Sequence, residues 1–186
     1  GGSGAGKTTL LEALAGSRPA DSGSVAFDGV DIYARLDSFR SVLGYVPQDD
    51  IIHLELPLER TLRYAARLRL PAADVDAAVD DALARLHLAE HAHVRVGSLS
   101  GGQRKRASIA VELLTRPHVF FLDEPTSGLD PATGAELLDA LRELTREGST
   151  VVFTTHAVQD LARCDRLVVL ASGGYLAFVG RVDEAL

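Results

Sequence analysis

A chain of 186 residues is long enough for one domain with a sizeable core, and its 46% hydrophobic and 24% charged residues are ordinary for a globular protein. No apolar run approaches the ~20 residues that span a bilayer. A net charge of −7 argues against broad nucleic-acid binding. The single cysteine, Cys164, excludes an internal disulfide and fits a reducing compartment.

The first third of the chain is predicted to form a helix followed by short strands. A helix over residues 7–15 is ended by Gly16, and residues 25–32 alternate around an Asp-Gly pair, which is a hairpin signal. Residues 42–46 form a short strand. The helix is expected to bury one leucine face: Leu10, Leu11 and Leu14.

The middle of the chain changes to a helical period. Residues 58–88 predict two helices separated by Pro71, and residues 104–115 predict a third that is closed by Pro117. This helical part, about residues 51–117, is expected to be an insert between strands.

The last third returns to strands that alternate with a helix. Residues 118–122 are continuously apolar, the pattern of a strand buried on both faces, and a helix follows over 132–147. Further strands are predicted at 150–154 and 166–170, and a final hairpin turns at residues 172–174. Strands alternating with helices predict a mainly parallel α/β sheet.

The first eight residues match the pattern G-x-x-x-x-G-K-[ST]. Glycines let the backbone N–H groups face phosphate oxygens, and the helix that follows adds its positive N-terminal end. Lys7 would reach the β- and γ-phosphates and Thr8 would ligate Mg²⁺. The alternative is a glycine-rich turn that caps an ordinary helix. The predicted ATP contacts here are Gly1, Gly2, Ser3, Gly4, Ala5, Gly6, Lys7, Thr8 and Thr9.

Two carboxylates, Asp123 and Glu124, follow the apolar strand. In open α/β sheets, ligands bind at the carboxyl ends of strands. One carboxylate can hold Mg²⁺ through water, and the next can orient and deprotonate an attacking water. Neighbouring residues on a strand point to opposite sides, so the two roles can be divided only where the strand ends. The alternative is an acidic turn before Pro125.

Four further motifs accompany these two. Residues 99–103, Leu-Ser-Gly-Gly-Gln, lie twenty residues before the acidic strand end; Gln48 follows a strand, residues 127–130 follow the carboxylates, and His156 follows the next strand. In order and spacing, across nearly the whole chain, these motifs resemble the ATP-binding cassette (ABC) proteins. The amino-acid sequences of residues 44–50 and 103–106 are similar to those of the White (eye-pigment) exporter subfamily and its bacterial relatives.

The resemblance implies a fold and a division of the chain. The fold is a P-loop NTPase (RecA-like) α/β fold with a mainly parallel sheet, a helical insert subdomain and a partial antiparallel β subdomain. Residues 1–50 and 118–186 would form the catalytic core of a single nucleotide-binding domain. Residues 51–117 would form the helical subdomain, which carries the signature motif of the family at residues 99–103.

The resemblance to ABC proteins also implies roles for single residues. Asp123 assists Mg²⁺, Glu124 is the general base, and His156 contacts the γ-phosphate. Gln48 contacts Mg²⁺ or the attacking water, and its loop senses a transmembrane partner. Asp130 helps to join the two halves of a dimer.

The signature turn has a role of its own in the resemblance: it contacts the γ-phosphate of ATP held on the opposite subunit. Its residue types agree, because a glycine-rich turn that opens a helix is a second anion site on the same chain. The alternative is a simple serine N-cap. The residues concerned are Ser100, Gly101, Gly102 and Gln103.

The implied function is ATP hydrolysis that powers export, with ATP and Mg²⁺ as ligands. The expected partners are a second nucleotide-binding domain and a transmembrane domain, at the cytoplasmic face of the plasma membrane, with no nucleic acid. One alternative is a soluble cassette ATPase acting on DNA, ribosomes or iron–sulfur assembly, and another is a regulatory cassette without turnover. Family members also carry a strand and an adenine-stacking aromatic residue before the phosphate loop. We therefore expect an N-terminally truncated domain that, as these 186 residues alone, folds poorly or binds ATP weakly.

Overall fold

The computed structural model describes residues 4–39 and 41–185. Its central sheet has three parallel strands in the order β3 (Leu43–Val46), β4 (Val119–Leu122) and β5 (Thr150–Phe153). The last three residues of β4 are buried, as its apolar sequence predicts for a central strand. The prediction of a mainly parallel α/β fold is confirmed, and the carboxyl ends of all three strands meet at one edge.

Two antiparallel hairpins accompany the sheet. The turn of the first is formed by Asp28 and Gly29, which both have positive φ angles of 49° and 78°. That conformation is the one a two-residue hairpin turn favours, so the Asp-Gly signal is confirmed. The four hairpin strands are β1 (Ala26–Phe27), β2 (Val30–Asp31), β6 (Arg166–Leu170) and β7 (Leu176–Arg181).

The predicted helices form in the predicted order, but one start differs, and the short helix Leu36–Phe39 was not predicted. The helix predicted over 104–115 begins three residues earlier, because Ser100 and Gln103 form a reciprocal capping box. Within the described residues, no helix is long and apolar enough to cross a bilayer. The helices are α1 (Lys7–Leu14), α2 (Leu36–Phe39), α3 (Leu58–Arg69), α4 (Val75–Arg85), α5 (Gly101–Leu113) and α6 (Pro131–Arg146).

One continuous apolar core joins the middle helices to the sheet. Leu62 of α3, Val79 of α4 and Ile109 of α5 are fully buried in the same cluster as Phe120 of β4 and Leu141 of α6. Burying one such side chain stabilises the fold by roughly 1.5–3 kcal/mol relative to exposure. This shared core fixes α5 against the strands whose ends carry the predicted site.

An apolar groove lies beside β5. Residues of α1, β5, α6 and β6 line a cavity of about 620 Å³. In the part of the chain that the structure describes, β5 pairs only with β4, and β6 pairs only with β7. The prediction that Leu10 is buried is wrong: it is 39% exposed, because it borders this groove instead of facing a packed element.

Candidate ATP-binding and hydrolysis site

The described part of the phosphate loop curls over the start of α1. Gly4 and Gly6 have positive φ angles of 76° and 86°, a conformation that favours glycine. Gly6 is the N-cap of α1, and its carbonyl accepts the N–H of Leu10 at 3.0 Å. The first N–H groups of a helix have no partner within the helix, so this end of α1 is suited to bind an anion. The predicted contacts Gly1, Gly2 and Ser3 lie outside the described residues.

Three predicted site residues meet at this end of the sheet. The ammonium Nζ of Lys7 lies 3.7 Å from Oε1 of Glu124. Nδ1 of His156 lies 3.3 Å from the other carboxylate oxygen of Glu124. The side chains of Lys7 and Glu124 are only 12% and 17% exposed. The cation and the carboxylate are therefore poorly hydrated at the N-terminal end of α1, whereas the imidazole of His156 contacts the carboxylate from the exposed side, with 58% of its side chain accessible.

The two neighbouring carboxylates have different partners where β4 ends. Glu124 has a φ angle of +44°, which is uncommon for a residue with a side chain, and its carboxylate lies near Lys7 and His156. The Thr154 hydroxyl donates to Oδ1 of Asp123, and its oxygen accepts the N–H of Glu124 at 2.9 Å. Asp123 is 2% exposed. Thr154 thus orients the carboxylate of Asp123 and holds the main chain at Glu124, a role that the sequence pattern did not reveal.

A second buried acid connects the loops around the site. Asp160, 4% exposed, accepts the hydroxyls of Thr126 at 2.7 Å and Thr155 at 2.6 Å. Thr126 follows the carboxylate pair and Thr155 precedes His156, so Asp160 holds both loops to one point. The sequence analysis missed Asp160, and no pattern around it indicates this role.

Asp130 caps a helix in this arrangement. Its Oδ1 accepts the N–H groups of Ala132 and Thr133 at 3.1 Å each, at the start of α6. Hydrogen bonding by the Thr133 hydroxyl, followed by these backbone N–H groups, holds the pKa of Asp130 below its ordinary value. Its position at the surface leaves it free to meet a second molecule.

The signature turn is held together by its own hydrogen bonds. The N–H of Ser100 donates to Oε1 of Gln103 at 2.9 Å, and Oγ of Ser100 accepts the N–H of Gln103 at 3.3 Å. A Cβ on Gly102 would lie 2.4 Å from Cγ2 of Thr133, so the starts of α5 and α6 pack closely. A Cβ on Gly101 would meet nothing within 4 Å. The exposed side of the turn is therefore open.

The remaining predicted residues lie at the same carboxyl edge or in α1. Gln48 is exposed just after β3, and Thr8 and Thr9 are exposed in the first turn of α1. With Asp123 they offer a hydroxyl, an amide and a carboxylate, the oxygen donors that Mg²⁺ prefers. Across residues 4–39 and 41–185 no group of three or more His, Cys, Asp or Glu side chains could hold a metal. The donor set fits an ion that also binds phosphate.

The fold and these motifs agree with a known family. A family model described as ABC transporter matches residues 1–127. The solved structure of CbiO1 from Clostridium perfringens, described as part of the ABC transporter complex cbiONQ, is similar over 100% of this chain and 76% of that chain, with a TM-score of 0.90 and 32% identity. The chain belongs to the ABC transporter family, and it is an ATP-binding domain of P-loop NTPase fold.

Curated relatives sharpen this assignment. The chain is 46% identical to an ABC transporter ATP-binding/permease protein of Mycobacterium tuberculosis, over 97% of this chain and 21% of that protein. It is 38% identical to ABC transporter G family member 28 of Arabidopsis thaliana, over 99% of this chain and 18% of that protein. The chain thus spans about a fifth of the length of these relatives. The predicted resemblance to G-type transporters is confirmed, and these relatives give no support to a soluble cassette ATPase.

Proposed function

We propose that this chain hydrolyses ATP to ADP and phosphate, and so powers export through a transmembrane domain on the same chain or on a separate subunit. The observation that carries the proposal is the position of Glu124, held between Lys7 and His156 at the N-terminal end of α1. Export is supported by the resemblance to the White exporter subfamily and by a 35% identical relative named Nod factor export ATP-binding protein I. The chain would then work at the cytoplasmic face of the membrane.

The proposed reaction uses Glu124 as the general base. The oxygen of a water attacks the γ-phosphorus while the bond to the bridging oxygen of ADP breaks, and Glu124 accepts the proton of the water. Lys7, the phosphate loop and His156 stabilise the charge on the transferring group. Lys7 is paired with Glu124 at 3.7 Å. Triphosphate would draw Lys7 towards its oxygens and leave Glu124 free to act as a base.

Magnesium has a defined place in this proposal. Thr8, Gln48 and Asp123 would hold Mg²⁺, which supplies positive charge next to the β- and γ-phosphates. Asp123 is buried and oriented by the Thr154 hydroxyl, so its carboxylate keeps one position. The exposed Thr8 and Gln48 complete the donor set.

Two copies of the domain, or this domain and a similar one, would close face to face over two ATP molecules. The open space at Gly101 supports an approach from outside this chain, because no atom of the described residues lies where a side chain would begin there. Ser100, Gly101, Gly102 and Gln103 would contact the γ-phosphate of ATP on the partner. Asp130, exposed at the start of α6, would contribute to the same interface.

The proposed membrane partner would dock beside Gln48. Ile51 and Leu54 follow this residue and are 79% and 45% exposed, although both are large and apolar. Residues 51–117, with α3, α4 and α5, would form the helical subdomain that responds to the partner. Residues 1–50 and 118–186 would form the catalytic core.

Phosphate release by the intact protein that contains this chain tests the proposal. Glu124→Gln is expected to lower hydrolysis by about 10²-fold or more, because a general base is lost, while ATP-dependent dimerisation persists. Glu143→Gln is the matched control, since this exposed carboxylate is paired with Arg146 on its own helix. Unchanged turnover in Glu124→Gln would remove the base from its role, and absence of turnover in the unaltered protein would favour a regulatory cassette.

A further inference from the structure

A buried lysine connects α5, the helix that begins at the signature turn, to residues 47–50, which form the Gln48 loop. Lys105 lies in α5, five residues after Ser100, and is 6% exposed. Its Nζ donates to the carbonyl oxygen of Gln48 at 2.7 Å and to that of Pro47 at 3.2 Å. The carboxylate of Asp50 lies 3.8 Å away. One side chain of α5 therefore holds the main chain directly at Gln48.

The residue type fits this contact. The chain has 19 Lys and Arg residues, and only Lys7 and Lys105 are lysine. An ammonium is compact and carries three donors, so it can reach several oxygens in a buried space that a planar guanidinium would not fit. Burial lowers the pKa of Lys105, and the carboxylates of Asp50, Asp123 and Asp49 oppose that shift.

A buried cation constrains the groups that surround it. Removing a charge from water is costly unless the charge is paired and hydrogen-bonded, so the two carbonyls cannot move away from Nζ freely. A second bond acts in the same direction: the hydroxyl of Ser108, also in α5, donates to Asp50 at 3.0 Å. Residues 47–50 are thus fixed to α5 at two points.

We propose that Lys105 is a positioning residue that makes the Gln48 loop and the signature turn move as one unit. The inference rests on the proposed function, in which Ser100 meets ATP on the partner and Gln48 meets ATP on its own chain. Because α5 begins at that turn and carries Lys105, closure over one nucleotide repositions Gln48 beside the other. Each ATP would then be sensed at both sites.

Lys105→Met in the intact protein tests this link, because it keeps the apolar stem and removes the donors. We expect kcat to fall by about tenfold to a hundredfold through misplacement of Gln48. ATP affinity should stay within about twofold, since the phosphate loop is untouched. Amide hydrogen exchange should accelerate at residues 48–50 and stay unchanged along α5.

Two further variants separate positioning from simple stability. Arg69→Met is the matched control: Arg69 donates to the carbonyl of Val111 at 3.3 Å and to Glu112 at 2.9 Å, so it removes the same kind of contact at the far end of α5. It should leave kcat unchanged. Lys105→Met with Asp50→Asn removes the carboxylate left without its cation, and should recover stability but not kcat.

The proposal is overturned if Lys105→Met keeps normal kcat, or if the double variant restores it. Should Lys105→Met fail to fold, Lys105→Gln, which keeps two N–H donors but removes the charge, is judged by the same criteria. Glu124→Gln, measured in parallel, distinguishes failure of the proposed function from failure of this inference. If Glu124→Gln does not lower turnover, the proposed function is wrong. If Glu124→Gln lowers turnover and Lys105→Met does not, only this inference is wrong.

Discussion

Two helix N-termini in this chain have glycine-rich turns, and they differ in what surrounds them. At the start of α1, Glu124 contacts both Lys7 and His156. The start of α5 has a capping box between Ser100 and Gln103 and an open exposed side, and Gln103 contacts the imidazole of His91 at 2.8 Å. Either end could bind phosphate, but the carboxylate proposed as the general base lies at the first.

This difference indicates two tasks for two anion sites. The α1 site has the groups that chemistry requires, whereas the α5 site has the groups that fix the shape of a turn. A turn whose shape is fixed by its own hydrogen bonds is suited to complete a pocket on another molecule. The head-to-tail arrangement proposed for the dimer follows from this division, and four predictions test it.

The largest effect is expected at the α1 site. Lys7→Ala removes the cation that would contact the β- and γ-phosphates, so kcat/KM should fall by about 10²- to 10³-fold. ATP affinity should fall as well, because the contact exists before the reaction. Phosphate release and calorimetric ATP titration of the intact protein measure both quantities. Normal ATP affinity in this variant would contradict the role given to α1.

The α5 site should respond differently. Ser100→Ala should weaken ATP-dependent dimerisation by roughly tenfold to a hundredfold, as expected for losing a hydrogen bond to a charged group. ATP binding to the single domain should not change. Sedimentation of the intact protein in a Glu124→Gln background provides the measurement. Ser98→Ala, at an exposed serine two residues earlier, is the control. Equal loss in both variants would contradict the assignment.

A smaller effect is expected at Thr154, whose hydroxyl contacts the carboxylate of Asp123 and the N–H of Glu124. Thr154→Val keeps the shape of the side chain and removes the hydroxyl between Asp123 and Glu124. The free energy of unfolding should fall by about 1–3 kcal/mol, because Asp123 is buried and loses its partner. Chemical unfolding measures this, and kcat should fall while the signature turn stays intact. A stability equal to that of the unaltered protein would show that Thr154 is not needed.

The smallest effect concerns pH. The pKa of Asp130 is lowered, first by the Thr133 hydroxyl, so the ionised form stabilises the folded state. That contribution is complete above the ordinary Asp pKa, near pH 4, and is lost as pH falls through the lowered value. The stability difference between the unaltered protein and Asp130→Ala should therefore shrink on acidification. About pH 2 lies below most Asp pKa values. A stability difference that stays constant from about pH 5 to about pH 2 would contradict the role of Asp130 as a helix cap.

Much of the fold could be predicted because local patterns and the global structure agree. The apolar run of β4, the Asp-Gly turn and Pro71 between α3 and α4 each indicate the element that forms. The early start of α5 depends on the capping box of Ser100 and Gln103, and hydrophobic periodicity alone does not predict such a side-chain cap. Leu10 was placed wrongly because a helical stripe does not say whether a neighbour covers it.

The site could be predicted only where residues follow a motif. Asp123, Glu124 and His156 follow strands whose carboxyl ends meet, so their proximity could be expected. Thr154 and Asp160 act through contacts between residues distant in sequence, and such contacts leave no local pattern.

The central claim is that the signature turn of one domain completes the ATP pocket of another. A structure of the intact Glu124→Gln protein with ATP bound tests it most directly. The account predicts the Ser100 hydroxyl and the N–H groups of Gly101 and Gly102 within hydrogen-bond distance of a γ-phosphate held by the partner's phosphate loop. A closed, ATP-loaded structure in which that turn contacts no triphosphate would contradict it.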